Sequence, residues 1–204
     1  GKPALKDAGF EIVYETSYPL DQQDYAPIIS AAQAASPDAF VAFSYPGDTF
    51  GLTAQAKIAD LKVKAFYVGV ATAFPAYAEA NGAAAEGVLG AGAINPDAPG
   101  MPEWRARHKE VTGQEADYWA SAMTYASMEM LEQAITAAGS LDKAAVIDKL
   151  KTMNFKTVMG DMSLAGNVNQ KFWSVGQWQG GKYYGVGARG FTDLKAPIAK
   201  NGWN

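Results

Sequence analysis

The sequence predicts an α/β protein built around an open, mostly parallel sheet. Three observations carry that expectation. Strand-length runs recur about every 25 residues through the first half, with helical patterns between them, which is the rhythm of right-handed strand–helix–strand crossovers. The run Ala39–Tyr45 (AFVAFSY) is almost continuously apolar, as a strand buried on both faces of a parallel sheet is. Near the end, two β-like runs flank Gly180-Gly181, a hairpin signal.

The elements follow in order. Phe10–Thr16 (FEIVYET) reads as a strand after a helix end marked by Gly9. Asp24–Ala35 reads as a helix with Ile28, Ile29 and Ala32 on one face, broken by Pro37 and Asp38. Ala39–Tyr45 is the next strand, ended by Pro46-Gly47. Thr49–Leu61 is a helix with Asp48 placed to cap it. Ala65–Val70 and Val88–Ala93 are further strands, separated by a weaker helix over Phe74–Ala85 that Asn81-Gly82 interrupts. Asn95–Pro102 carries three prolines and reads as a linker. Helices follow at Pro102–Val111, Tyr118–Ala138 and Ala144–Met153, the first two ended by Gly113 and Gly139. Beyond Thr157 the pattern turns β-like, with a turn at Gly166-Asn167 and the hairpin strands Phe172–Gln179 and Lys182–Val186. Ala188–Asn204 has no clear periodicity. Because the chain opens on a helix with no strand before it, an N-terminal part is expected to be missing.

Composition excludes several functions. The 204 residues are 49% hydrophobic and carry a net charge of -4 with no basic stripe, so nucleic acid is not expected as a partner. No run approaches the ~18–20 apolar residues of a membrane span, so the chain is not expected to be membrane-embedded. Cysteine is absent, which removes disulfides, thiolate chemistry and Cys-based metal sites. The first residues have neither an apolar h-region nor a cleavage site, so any export signal is expected to be removed or to lie upstream.

Catalytic raw material is poor. His108, the single histidine, sits among Arg105, Arg107, Lys109 and Glu110 on a charged helix and reads as solvated surface. Gly90-Ala91-Gly92 opens like a dinucleotide fingerprint but lacks the third glycine and runs into the Pro-rich linker. Asp21, Asp24, Asp48, Glu115 and Asp117 fall near helix starts, where capping explains them. Met123, Met128 and Met130 read as core packing for some of them. No catalytic residue, metal or cofactor is expected.

The more informative residues stand at the strand ends, because open parallel sheets bind ligands beyond the carboxyl ends of their strands. Those ends are Thr16–Leu20, Ser44–Asp48, Ala71–Phe74 and Ala93–Asn95. They offer rings at Tyr45 and Phe74 and hydroxyls at Ser44 and Thr72. An aromatic and a hydroxyl beside a helix N-terminus suit a small carboxylate with an apolar body; rings that merely cover the sheet edge are the competing explanation.

The order of segments resembles the second half of the type I periplasmic binding proteins, the leucine/isoleucine/valine-binding group. The matching stretches are Ala8-Gly9-Phe10, Asp24-Tyr25, Ser36–Val41 leading into Ser44-Tyr45-Pro46, Ala85–Val88, Met123–Ala126, Ala137–Ser140, Lys151–Phe155 with Val158-Met159-Gly160, and Gln177-Trp178-Gln179. The resemblance implies two α/β lobes joined by a hinge, with ligand trapped between them and delivered to the membrane permease of an ABC transporter from the periplasm. It implies that residues 1–94 are most of the second lobe, that 95–170 are a helical return to the first, that 171–187 cross back, and that 188–204 are a tail. Tyr45 matches a cleft tyrosine. The acidic residue with which amino-acid binders meet the ligand ammonium falls on Ala71, with Thr72 next, and neither is acidic. A buried ammonium without a counter-charge is costly, so an aromatic, 2-oxo or branched acid is the expected ligand, with Ser44, Tyr45, Pro46, Ala71, Thr72 and Phe74 around it and Phe43 as a further apolar wall. Amino-acid binding by the same fold, a ligand-sensing domain of a receptor or regulator, and an α/β enzyme are the alternatives.

Overall fold

The computed structural model describes residues 1–204 except 21, 93, 95, 170–173, 189–193 and 204. In chain order the elements are helix α1 (Lys2–Asp7), α2 (Ala26–Ala34), strand β1 (Ala39–Ala42), α3 (Pro46–Ile58), β2 (Ala65–Val68), α4 (Pro75–Asn81), β3 (Val88–Ala91), α5 (Met101–Thr112), α6 (Ser121–Ala138), α7 (Lys143–Thr152), β4 (Asn154–Thr157), β5 (Gly160–Ser163), β6 (Val175–Gln179) and β7 (Lys182–Gly187). A 3-10 turn at Ala71–Ala73 joins β2 to α4, and another at Gly82–Ala85 follows α4.

The main sheet has the order β1-β2-β3-β6-β7. Its first three strands are parallel, with Phe40 beside Phe66 and Phe66 beside Val88. β6 runs antiparallel to β3, and β7 antiparallel to β6 with Trp178 beside Tyr183. The Gly180-Gly181 turn has φ of +59° and +77°, the two positive φ values that a type I′ hairpin needs and that glycine takes without steric cost. β4 and β5 form a separate hairpin.

One buried cluster joins Phe40, Phe66, Val88, Trp178 and Tyr183 of the sheet to Ile29, Leu52, Ala56 and Tyr77 of the helices. A second gathers Ala126, Met130, Ala134, Val146, Phe155 and Met162. The chain therefore has a sheet core and a core of α6, α7, β4 and β5. Met130 is core, whereas Met128 is exposed. Among the described residues no helix is long and apolar enough to cross a membrane.

The structure corrects three local expectations. Phe10–Thr16 is not a strand. Its alternation does bring Ile12 and Tyr14 to half-burial, but a strand also needs a ladder partner, and β1 pairs only with β2 among the described residues. The helix after β1 starts at Pro46 rather than Thr49, because proline at the first helical position brings a preset φ and gives up only an N–H that has no intrahelical partner. The long helix starts at Ser121 rather than Tyr118; in the segment before it the Tyr118 N–H donates to the Ala73 carbonyl at 2.9 Å and the Asp117 carboxylate accepts from the N–H groups of Trp119, Ala120 and Ser121.

The described residues 194–203 of the aperiodic tail are held by contacts that no hydropathy pattern could show. The Gln179 side chain donates to Ala196 O at 2.9 Å, and the Lys200 N–H donates to Lys64 O at 2.8 Å. Trp203 stacks edge-on against Phe66 at 4.9 Å. The tail thus crosses the end of the sheet where β2 and β3 begin, opposite the strand ends that carry the candidate site.

Candidate functional site

The carboxyl ends of β1 and β2 are held together by a buried polar knot. Ser44 Oγ and Thr49 Oγ1 lie 2.8 Å apart, and both reach the Gly69 carbonyl, at 3.3 and 3.0 Å. The Gly69 N–H donates to Ala42 O at 2.9 Å. A Cβ at Gly69 would stand 3.2 Å from the Ser44 backbone nitrogen, closer than ordinary van der Waals contact. Ser44 is buried, and its hydroxyl serves this internal network.

Tyr45 is the N-cap of α3 in extended conformation, followed by Pro46. Its side chain is 64% exposed and projects from the loop at the helix N-terminus. The Tyr45 N–H donates to Asp48 Oδ2 at 3.3 Å, and Tyr25 donates its hydroxyl to Asp48 Oδ1 at 3.1 Å. Asp48 therefore reaches back from the first helical turn rather than capping from outside. Burial, and after it the charge of Asp48, push the Tyr18 hydroxyl up to about 12. Phe43 is exposed, with its ring 6.0 Å from Tyr67.

The 3-10 turn after β2 carries Ala71 and Thr72, both fully buried. Thr72 Oγ1 donates to Val68 O at 2.6 Å, and Thr72 O accepts the indole N–H of Trp178 at 2.7 Å. Phe74 caps α4 and is half-buried, its ring 6.3 Å from Trp119.

Six sequence-expected positions thus divide into two groups. Tyr45, Pro46 and Phe74 present surface at the strand ends. Ser44, Ala71 and Thr72 form the packed floor beneath them. Ala93 and Asn95, at the end of β3, lie outside the described residues. Sequence reasoning did not single out Trp119 and Tyr67 as neighbours of the site, since their placement depends on ring contacts from distant elements.

Asp117 organises the approach to α6. Burial pulls its carboxyl up, but donation from the Ser121 hydroxyl and from the main-chain N–H groups of Ala120, Trp119 and Ser121 outweighs it and leaves the pKa lowered. The shortest of these contacts to Asp117 are 2.5 Å, from Ser121 Oγ and Ala120 N. His108 is half-buried, with Nδ1 3.0 Å from Gln114 O and its ring 5.4 Å from Trp104.

Two hollows accompany these elements. One of 420 Å³ is lined by Phe74, Pro75 and Glu79 on one side and Lys109, Glu115 and Asp117 on the other. Lys109 and Glu115 close an ion pair across 2.6 Å there, which leaves Glu79 and Asp117 as the further acidic groups of the lining. The other, of 430 Å³, lies at the far end of the sheet between Asp38, Lys64 and Lys200. Neither is lined by Tyr45. The candidate site is therefore one placed by topology, at the carboxyl ends of parallel strands, and of its six residues Phe74 borders the first hollow.

Comparison with known proteins gives consistent matches. The family model described as periplasmic binding protein matches residues 2–182. The Leu/Ile/Val-binding protein homolog 4 of Brucella abortus (strain 2308) is 28% identical over 174 residues, covering 81% of this chain and 41% of that protein. The fold is similar to that of leucine binding protein LivK from Thermotoga maritima, with a TM-score of 0.74, 23% identity, and coverage of 97% of this chain and 54% of that one. It is equally similar to a solute binding protein of an ABC transporter from R. palustris in complex with benzoate, with a TM-score of 0.75, 15% identity, and coverage of 97% and 55%. A solute binding protein from Rhodopseudomonas palustris BisB5 in complex with 3,4-dihydroxy benzoic acid aligns with a TM-score of 0.72, 22% identity, and coverage of 96% and 56%. The chain spans 41% of the length of the curated relatives it matches.

Proposed function

The chain belongs to the periplasmic binding protein family, and on that premise we propose that it is part of a periplasmic solute-binding component of an ABC importer that captures a small carboxylate lacking an ammonium group. The observation that carries the ligand class is the turn after β2. Ala71 and Thr72 are fully buried and uncharged, and the nearest buried carboxylate in the chain sequence, Asp48, is engaged by Tyr25 and the Tyr45 N–H. An ammonium brought to this floor would meet no free counter-charge from it, and desolvating an unpaired cation costs several kcal/mol. A carboxylate with an apolar body asks for N–H donors and rings, which the α3 N-terminus and the exposed Tyr45 and half-buried Phe74 supply.

In this reading Tyr45, Pro46 and Phe74 touch the ligand, while Ser44, Ala71 and Thr72 hold the loops that present them. Aromatic, 2-oxo and branched acids are the ligands this reading expects. Closure of two lobes about a hinge would trap the ligand, and stabilisation of the closed form comes only from its differential affinity for that form. The permease of the importer is the partner, and the protein carries out no reaction.

A second reading has its own support: the curated relatives are named Leu/Ile/Val-binding protein homologues, which favours an amino acid. A thermal-shift screen of the complete gene product separates the two. A ligand at a hundredfold excess over its dissociation constant adds about 2.7 kcal/mol. Shifts with benzoate or 2-oxo acids and none with amino acids support the carboxylate reading. Shifts with leucine or valine overturn it in favour of the second.

A further inference from the structure

The Gln177-Trp178-Gln179 motif in β6 does two separate jobs, and one of them concerns the site. The two glutamines face the tail. Gln177 Nε2 donates to Gly87 O and Ile198 O, and Gln179 Nε2 donates to Ala196 O. Trp178, between them, faces the opposite side of the strand, as period-2 alternation requires. There its indole N–H donates to Thr72 O at 2.7 Å, both groups being buried.

That bond holds the turn Ala71–Ala73 by its main chain. The next carbonyl, of Ala73, accepts the Tyr118 N–H at 2.9 Å, and the Tyr118 ring packs edge-on against Trp178 at 5.6 Å. From below, β3 admits the turn only because position 90 is glycine: a Cβ there would stand 2.5 Å from Thr72 Cβ. The turn is thus seated on Gly90, tied by Trp178 and clasped by Tyr118. Phe74 follows it directly.

We propose that Trp178 is a positioning residue for ligand binding: by fixing the Thr72 carbonyl it sets where the turn Ala71–Ala73 and the ring of Phe74 meet the ligand. The inference rests on the reading of the site given above. A preorganised loop avoids the ordering cost of binding, so releasing the turn weakens affinity even where the fold survives.

The molecule supplies its own control. Trp203 makes the same kind of bond, an indole N–H to the buried Leu61 carbonyl at 2.9 Å, at the end of the sheet away from the turn. The experiment is isothermal titration of L-leucine, benzoate and 4-methyl-2-oxopentanoate into the complete gene product and into its Trp178→Phe and Trp203→Phe variants. Titrations are run at a temperature where circular dichroism shows all three folded. Both variants should lose thermal stability. Trp178→Phe alone should raise the Kd of whichever probe binds, by about tenfold. Equal Kd values in the two variants, whether unchanged or equally weakened, would overturn the proposal, because a merely structural tryptophan gives that result. Wild-type protein that binds none of the probes overturns the carboxylate and amino-acid readings themselves, and the inference with them. If Trp178→Phe does not fold, indole 15N spectra of the wild type replace it, assigned by elimination from the other tryptophan variants. Ligand should then move the Trp178 resonance and leave that of Trp203 in place; an unmoved Trp178 resonance overturns the proposal.

Discussion

The side chain of Gln177 pairs with Ile198 as a second peptide group would: its Nε2–H donates to Ile198 O at 2.8 Å, and its Oε1 accepts the Ile198 N–H at 2.9 Å. The same Nε2 also donates to Gly87 O at 2.9 Å. The residue is fully buried. Gln177→Leu keeps the volume and strands these backbone groups away from water, at about 1–3 kcal/mol for each unsatisfied group. Urea unfolding should show a loss on the order of 3 kcal/mol, and protease should cut first after position 194. A loss under ~0.5 kcal/mol would mean the tail is not held this way.

Glycines 47 and 51 share α3 but should answer alanine with opposite signs. A Cβ at Gly51 would lie 2.4 Å from the Tyr25 ring, whereas Gly47 has open space. Gly51→Ala should therefore destabilise by about 1–3 kcal/mol through overpacking. Gly47→Ala should be neutral or stabilise by up to about 1 kcal/mol through helix propensity. Thermal melts of the two variants check the pair.

Lys200 gives the protein an alkaline signature. Its side chain is buried, donates to Ala84 O at 3.0 Å and to Gly202 O, and lies 4.3 Å from the Trp203 ring. Burial drives its pKa down to about 8, partly opposed by the charge of Glu86. Between the folded value and the unfolded value near 10.5 the unfolded chain binds the extra proton, so stability rises with pH across that window. It is lost again as pH falls through about 8. The difference in Tm between wild type and Lys200→Met should change in this sense from pH 7 to 10, while a pH-independent difference would contradict it.

Asp117 works at the acid end. Its lowered pKa means that its contribution is present above the ordinary carboxylate range and is lost as pH falls through the folded value. Asp117→Ala should cost about 1–2 kcal/mol at neutral pH, as the loss of a helix cap does. The variant should also show a shallower fall in Tm below pH 4.

Much of the fold was legible because it rests on local patterns. The glycine stop at Gly139 and the Gly180-Gly181 turn each state their structure within a few residues, whereas the apolar run at Ala39–Tyr45, expected as a strand buried on both faces, is a strand only to Ala42 and leaves Val41, Phe43 and Tyr45 exposed. The failures fall where a distant partner decides. Phe10–Thr16 alternates like a strand but finds no ladder partner among the described residues. Tyr118 reads as helical but precedes the helix, in a segment whose contacts include the distant Ala73 carbonyl. The candidate site divides in the same way. Tyr45 and Phe74 were visible as rings at strand ends, but no spacing reveals that the Ser44 and Thr72 hydroxyls turn inward to Gly69 and Val68, or that Trp178 reaches Thr72 across 106 positions.

The central claim is that the floor at Ala71 and Thr72 offers an ammonium no counter-charge. The most direct measurement is a paired titration of the complete gene product with 4-methyl-2-oxopentanoate and L-leucine, which share a carbon skeleton and differ at the amine. The oxo acid should bind tighter by at least about tenfold, a difference of about 1.4 kcal/mol. Tighter binding of L-leucine would contradict it and would place the ammonium's partner outside this chain's described residues.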